Sequence, residues 1–139
     1  MSTPDGTFDR DSPTREILDQ VTSRWGTLVL AALAAGPHRF TALRDKVAGI
    51  GEPTLSQTLK QLVRAGLVHR TVEATTPTQV TYSLTALGSD LAIPLGQLIG
   101  WIGQHADDLL EAQHDYDATT PARDSRTAHR SVSSGARPT

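Results

Sequence analysis

Apolar residues recur at helical spacing as far as Leu62, alternate between Leu67 and Leu84, and return to helical spacing after Thr85. Pro13 stands where a helix can begin. Ile17, Leu18, Val21, Trp25, Leu28, Val29, Ala32 and Leu33 then form one stripe, closed by Gly36-Pro37. Thr22 or Ser23 can cap a fresh start within that stripe, so the pattern leaves one helix or two open. His38-Arg39-Phe40 reads as a short extended link and Thr41 as the N-cap of a helix that carries Phe40, Leu43 and Val47. Ala48-Gly49-Ile50-Gly51 breaks the period, Pro53 restarts it with Leu55, Leu59 and Leu62, and Gly66 suits the C′ position. Two short helices joined by a tight turn make a helix-turn-helix candidate.

Leu67, Val68, Arg70 and Val72 lead into a turn around Ala74-Thr75-Thr76-Pro77, after which Val80, Tyr82 and Leu84 alternate with Thr81 and Ser83. A hairpin directly after a helix-turn-helix is a winged-helix arrangement. Thr85 can cap a further helix with Leu87, Leu91, Leu95, Leu98, Ile102, Ala106 and Leu109 on one stripe. If continuous to Ala112 it spans roughly 40 Å at about 1.5 Å per residue, more apolar face than a small domain needs. A second copy of the chain is the expected cover. Pro94 should kink or unwind this helix, and Gly96 and Gly100 allow a neighbouring helix to approach closely. The predicted fold class is mainly α with a small β-hairpin wing, an α+β winged helix-turn-helix whose N- and C-terminal helices form a dimer interface. Residues 1–11 read as a flexible arm with Phe8 its only large apolar side chain, 12–116 as the domain with its dimerisation helices, and 117–139 as a disordered tail.

Composition narrows the chemistry. With 139 residues the chain is one domain by default, and with no cysteine it has no disulfide, thiolate zinc site or thiol switch. No apolar run has the length of a membrane span and no secretory signal is evident, so a cytoplasmic location is expected without a membrane partner. The net charge of −2 is unevenly distributed. Residues 36–70 carry six Lys and Arg against two Asp and Glu, whereas 71–116 carry none against six. A local basic footprint over the helix-turn-helix matters more to a phosphate backbone than the net figure.

The second helix of the motif has two faces. Leu55, Leu59 and Leu62 share one, and Pro53, Gln57, Lys60 and Arg64 lie near the other, with Thr54 and Gln61 beside them. An ordinary solvated helix has the same pattern, so the context of the motif has to decide.

That context resembles the HxlR-type winged-helix transcriptional regulators, a branch of the MarR-like group. The matching residues are Trp25; Arg39-Phe40 with Leu43; Leu55, Leu59 and Leu62; Gly66-Leu67 with Arg70; Pro77; Tyr82-Ser83-Leu84-Thr85 with Gly88; and Trp101. They follow the family order over residues 12–105. Ser12-Pro13 replaces the Cys-Pro of many members, which excludes cysteine-based sensing. Ser23-Arg24-Trp25 replaces Gly-Lys-Trp, Thr81 replaces a common acid, and the wing from Val72 to Tyr82 has no Lys or Arg.

The resemblance implies a homodimer that places the motif's second helices in successive major grooves of double-stranded DNA, on a palindromic operator, most commonly as a repressor. Carried over residue by residue, it puts Pro53, Thr54, Gln57 and Lys60 nearest the bases, with Gln57 able to pair bidentately with adenine. The phosphate contacts it implies are Arg39, Thr41, Arg44, Lys46, Arg64 and Arg70, with Thr78 and Gln79 on the wing. The dimer interface it implies draws on Trp25, Leu91, Leu95, Leu98, Trp101, Ile102 and Leu109. Arg39 could instead anchor Asp45, and Arg70 could lie along its strand in solvent. Two readings remain beside DNA binding: a winged-helix module that binds another protein, and regulation by a small-molecule effector near Trp25 and Trp101. His105 and His114 fall on opposite faces of one helix, and no phosphate loop, nucleophile elbow or paired-carboxylate motif occurs. No metal, cofactor or catalytic residue is expected.

Overall fold

Local signals set most of the helix ends. In the computed structural model, which describes residues 7–120, Ser12 caps α1 (Pro13–Thr22) by accepting from the Arg15 amide at 3.1 Å. Ser23 caps α2 (Arg24–Leu33) through the Gly26 amide at 3.0 Å, so the first apolar stripe is two helices. β1 (His38–Arg39) pairs antiparallel with β3 (Gln79–Leu84), His38 opposite Tyr82 and Arg39 opposite Thr81. That pairing holds the backbone extended through Arg39. α3 (Phe40–Lys46) therefore starts at Phe40 with Arg39 at the N-cap and no side-chain cap, and Thr41 is not the cap that the sequence suggested.

α4 (Glu52–Arg64) begins after Gly51, with Pro53 in its first turn and Gly66 beyond its C-terminus at φ +81°, a backbone that favours glycine. β2 (Val68–Glu73) pairs with β3 from Val68–Leu84 to Glu73–Gln79, and the sheet order is β1-β3-β2. The fold is a winged helix-turn-helix: mostly helical, with a small three-stranded antiparallel sheet.

The chain forms two compact units, Met1–Leu98 and Ile99–Thr139. In the first, Val29, Leu30 and Leu33 of α2, Leu43 of α3 and Leu55, Leu59 and Leu62 of α4 are almost completely buried. Val47, Ile50, Leu67, Val68 and Leu95 close the same core, and Trp25, Phe40, Tyr82 and Leu91 pack against it half-buried. α5 (Ala86–Gln104) is continuous through Pro94 without the unwinding expected there. Thr85 caps it, accepting from the Gly88 amide at 3.0 Å and donating to the Gly66 carbonyl at 2.7 Å. This unit thereby joins the end of α4 to the start of α5.

In the second unit the helix does not continue to Ala112 as one rod. It breaks at His105 and resumes as α6 (Ala106–Thr119). The His105 ring stacks on Trp101 at 4.3 Å between centroids, and its Nδ1 lies 2.8 Å from the Trp101 carbonyl that also accepts from the His105 amide. A side chain that competes for an intrahelical acceptor favours a break at that point. α6 has no buried residue and includes Asp117–Thr119, which the sequence assigned to the tail. Residues 121–139 of that tail and 1–6 of the N-terminal arm lie outside the described residues; Phe8 is exposed.

Candidate nucleic-acid interface

α4 separates its faces as its sequence implies. Leu55, Leu59 and Leu62 are sealed in the core, joined by Thr58, while Pro53, Thr54, Gln57, Lys60, Gln61 and Arg64 are exposed. The outward face therefore offers an amide at Gln57, a hydroxyl at Thr54 and cations at Lys60 and Arg64. None of these groups is needed by the core. The glycine-rich turn from α3 ends in Ile50, which is buried and fixes the entry to α4.

The cations around this face differ in how they are engaged. Arg44 on α3 donates to the carboxylate of Glu52 at the first turn of α4 and lies 3.5 Å from Asp45. The hydrogen bond to Glu52 raises the guanidinium pKa above its ordinary value, with Asp45 adding to the effect. Arg39 donates to the side chain of Gln79, in the last paired rung of the hairpin before its turn, and not to Asp45. Arg64 approaches Glu16 of α1 at 3.9 Å, both largely exposed. Lys46, Lys60 and Arg70 are exposed and form no ion pair among the described residues. Thr41 and Thr78 are exposed as well.

Glu52 is the residue that sequence reasoning missed. Its position three residues after the Gly49 turn carried no signal for a partner eight residues back on α3. Ser56 and Val63 were also passed over. With Leu59, Lys60, Arg70 and Tyr82 they line a groove of about 380 Å³ between α4 and the hairpin.

The residues assigned to a dimer interface fall into two groups. Within the first unit Leu95 is buried in the core, Trp25 and Leu91 are half-buried against it, and Leu98 is exposed. Trp25 also has the Arg24 guanidinium 4.5 Å above its ring. Within the second unit Trp101, Ile102 and Leu109 are exposed, as are Leu110 and Tyr116. Leu95 is thus accounted for inside one chain, and the others retain apolar surface. Among the described residues no group of three His, Asp or Glu is arranged to hold a metal. No described helix is long and apolar enough to cross a membrane.

The same order of elements is found in known proteins. The chain is 39% identical over 108 residues to the uncharacterized HTH-type transcriptional regulator YtfH of Escherichia coli, covering 78% of this chain and 86% of that protein. It is 34% identical over 108 residues to the HTH-type transcriptional regulator YkvN of Bacillus subtilis, covering 78% and 88%. A solved structure of YtfH from Salmonella typhimurium superposes with a TM-score of 0.72 at 39% identity, covering 77% of this chain and 96% of that one. The family model described as HxlR-like helix-turn-helix matches residues 20–109. The chain therefore belongs to the HxlR-like helix-turn-helix family and is a transcriptional regulator with a helix-turn-helix DNA-binding domain.

Proposed function

We propose that this regulator acts in the cytoplasm as a homodimer on a palindromic operator and represses by occupying DNA that polymerase needs. The observation that carries the reading is the division of α4, whose apolar face is sealed while Thr54, Gln57 and Lys60 remain outward and unpaired by carboxylates. A recognition helix enters the major groove with its N-terminal residues at the base edges. Pro53, Thr54, Gln57 and Lys60 are the base-reading group. Lys46, Arg64 and Arg70 grip phosphates directly, with Thr41 and Thr78 beside them. Arg39 is held by Gln79 next to the turn of the wing, and Arg44 contributes less because Glu52 and Asp45 already neutralise it. Residues 12–116 carry this activity, and the arm and tail are outside it.

Fluorescence-anisotropy titration on the native upstream intergenic DNA and on a scrambled duplex, at two salt concentrations, tests the reading. Tighter binding to the native duplex is expected, with affinity falling steeply as salt rises. Gln57→Ala should lose about 1–3 kcal/mol on the native duplex and little on the scrambled one. Arg64→Ala or Lys46→Ala should weaken both and lower the salt slope by about 1. Equal losses on both duplexes for Gln57→Ala would remove its base-reading role.

A further inference from the structure

We infer that Arg24 is a further phosphate contact, held ready for DNA by the ring of Trp25 beside the turn of the helix-turn-helix. Arg24 opens α2, outside the two helices of the motif, and its side chain is exposed. Its guanidinium carbon lies 4.5 Å from the centroid of the Trp25 ring, over the ring face, which is a cation–π contact. No carboxylate forms an ion pair with it among the described residues. The charge is therefore held in place without being neutralised.

Trp25 fixes where that charge sits. The half-buried ring packs against the core, and its Cη2 reaches the turn between α3 and α4, where a Cβ on Gly49 would sit 3.8 Å away. Gly49 has φ of +89°, so the turn presents backbone and no side chain beside the ring. Arg24 thus lies within roughly one Debye length of the turn, about 10 Å at 0.1 M salt. In a helix-turn-helix the first helix crosses the phosphate backbone and the second enters the groove, so a cation beside the turn joining them is close to phosphate. Of the other cations near this turn, Arg44 is shared by Glu52 and Asp45, whereas Lys46 has no ion pair among the described residues.

The stacking suits that role. A guanidinium lying on an aromatic face spends none of its N–H donors, so its planar fork remains available to two phosphate oxygens. The ring also restricts the long side chain before DNA arrives, which lowers the entropy lost on contact. This inference rests on the DNA-binding face proposed above. A phosphate contact carries no sequence information, so it does not depend on the palindromic operator.

The test is fluorescence anisotropy with the full chain on the native and scrambled duplexes over a salt series. Arg24→Gln should weaken both about three- to tenfold and lower the salt slope by about 1, with an unchanged melting curve. Arg24→Lys should restore the slope and only part of the affinity. Once Trp25→Leu has removed the ring, Arg24→Gln should cost less than about twofold, read as a double-mutant cycle so that any loosening of the turn cancels. Trp25→Phe keeps a packed ring with a weaker face and gives an intermediate cost, which serves if the leucine variant fails to fold.

An Arg24→Gln protein with unchanged slope would overturn the phosphate contact, and so would a loss confined to the native duplex. Equal cost with and without the Trp25 ring would overturn the positioning. Equal binding of both duplexes by the unaltered protein would count against the proposed operator instead, and the Arg24 comparison is then read on either duplex.

Discussion

Arg44 and Glu52 are the residues whose pairing most changes the electrostatics of the helix-turn-helix. The ion pair joins α3 to the first turn of α4, and Asp45 shares the same guanidinium at 3.5 Å. A carboxylate near the N-terminus of a helix is favoured by the helix dipole, but on a face turned to phosphates it also repels DNA. Glu52→Gln keeps the shape of the side chain and removes that charge. It should raise affinity several-fold on native and scrambled duplexes alike and steepen the salt dependence by about one unit, because Arg44 becomes available to phosphate. Unchanged affinity and slope in an anisotropy titration would place Arg44 and Glu52 away from the DNA. The pairing was not legible in the sequence, where Arg44 counts as one more positive charge. Arg39 and Gln79 teach the same lesson, since their bond joins residues forty positions apart and exists only once β1 has paired with β3.

At the scale of elements, the start of α5 explains why Thr85 and Gly88 occur together. Thr85 bonds the Gly66 carbonyl and the Gly88 amide, and a Cβ on Gly88 would sit 2.1 Å from the Leu67 carbonyl oxygen. That oxygen belongs to the backbone, which cannot move aside as a flexible side-chain end could. Gly88→Ala should therefore destabilise the first unit by about 1–3 kcal/mol, visible as a lower urea midpoint with unchanged slope. A midpoint equal to that of the unaltered protein would show that α5 can shift away from the Leu67 backbone at no cost. Sequence periodicity located α3, α4, β2, β3 and the start of α5, because each has a clear 3.6 or 2.0 repeat and a cap or glycine at its edge. It placed the start of α3 at Thr41 because β1, only His38–Arg39, is extended by pairing with a distant strand. It missed the break at His105 although Gly103 lies two residues before it, since Gly96 and Gly100 sit inside α5 without interrupting it. The cause is a ring stacked one turn back on Trp101.

At the scale of the molecule, the size of α4 argues for two copies acting together. Thirteen residues make a helix about 20 Å long, enough for one major groove, whereas successive grooves on one face of the duplex are about 34 Å apart. In the function proposed above, a single chain reads a half-site. Exposed apolar side chains remain in each unit: Ile17, Leu18 and Leu98 in the first, and Trp101, Ile102, Leu109 and Leu110 in the second. Covering them with a second copy removes them from water at about 25 cal/mol per Å², and α6, which buries nothing in a single chain, gains a partner. Ile102→Glu places a charge in that surface without touching the core of the first unit. Light scattering behind size exclusion should then read half the mass of the unaltered protein. Affinity for a full palindrome should fall by a hundredfold or more, because the second half-site is no longer bound intramolecularly, while affinity for an isolated half-site stays as it was. A variant that keeps the mass of the unaltered protein would remove Ile102 from the interface. One that halves its mass yet binds the palindrome undiminished would show that a single copy suffices for the operator.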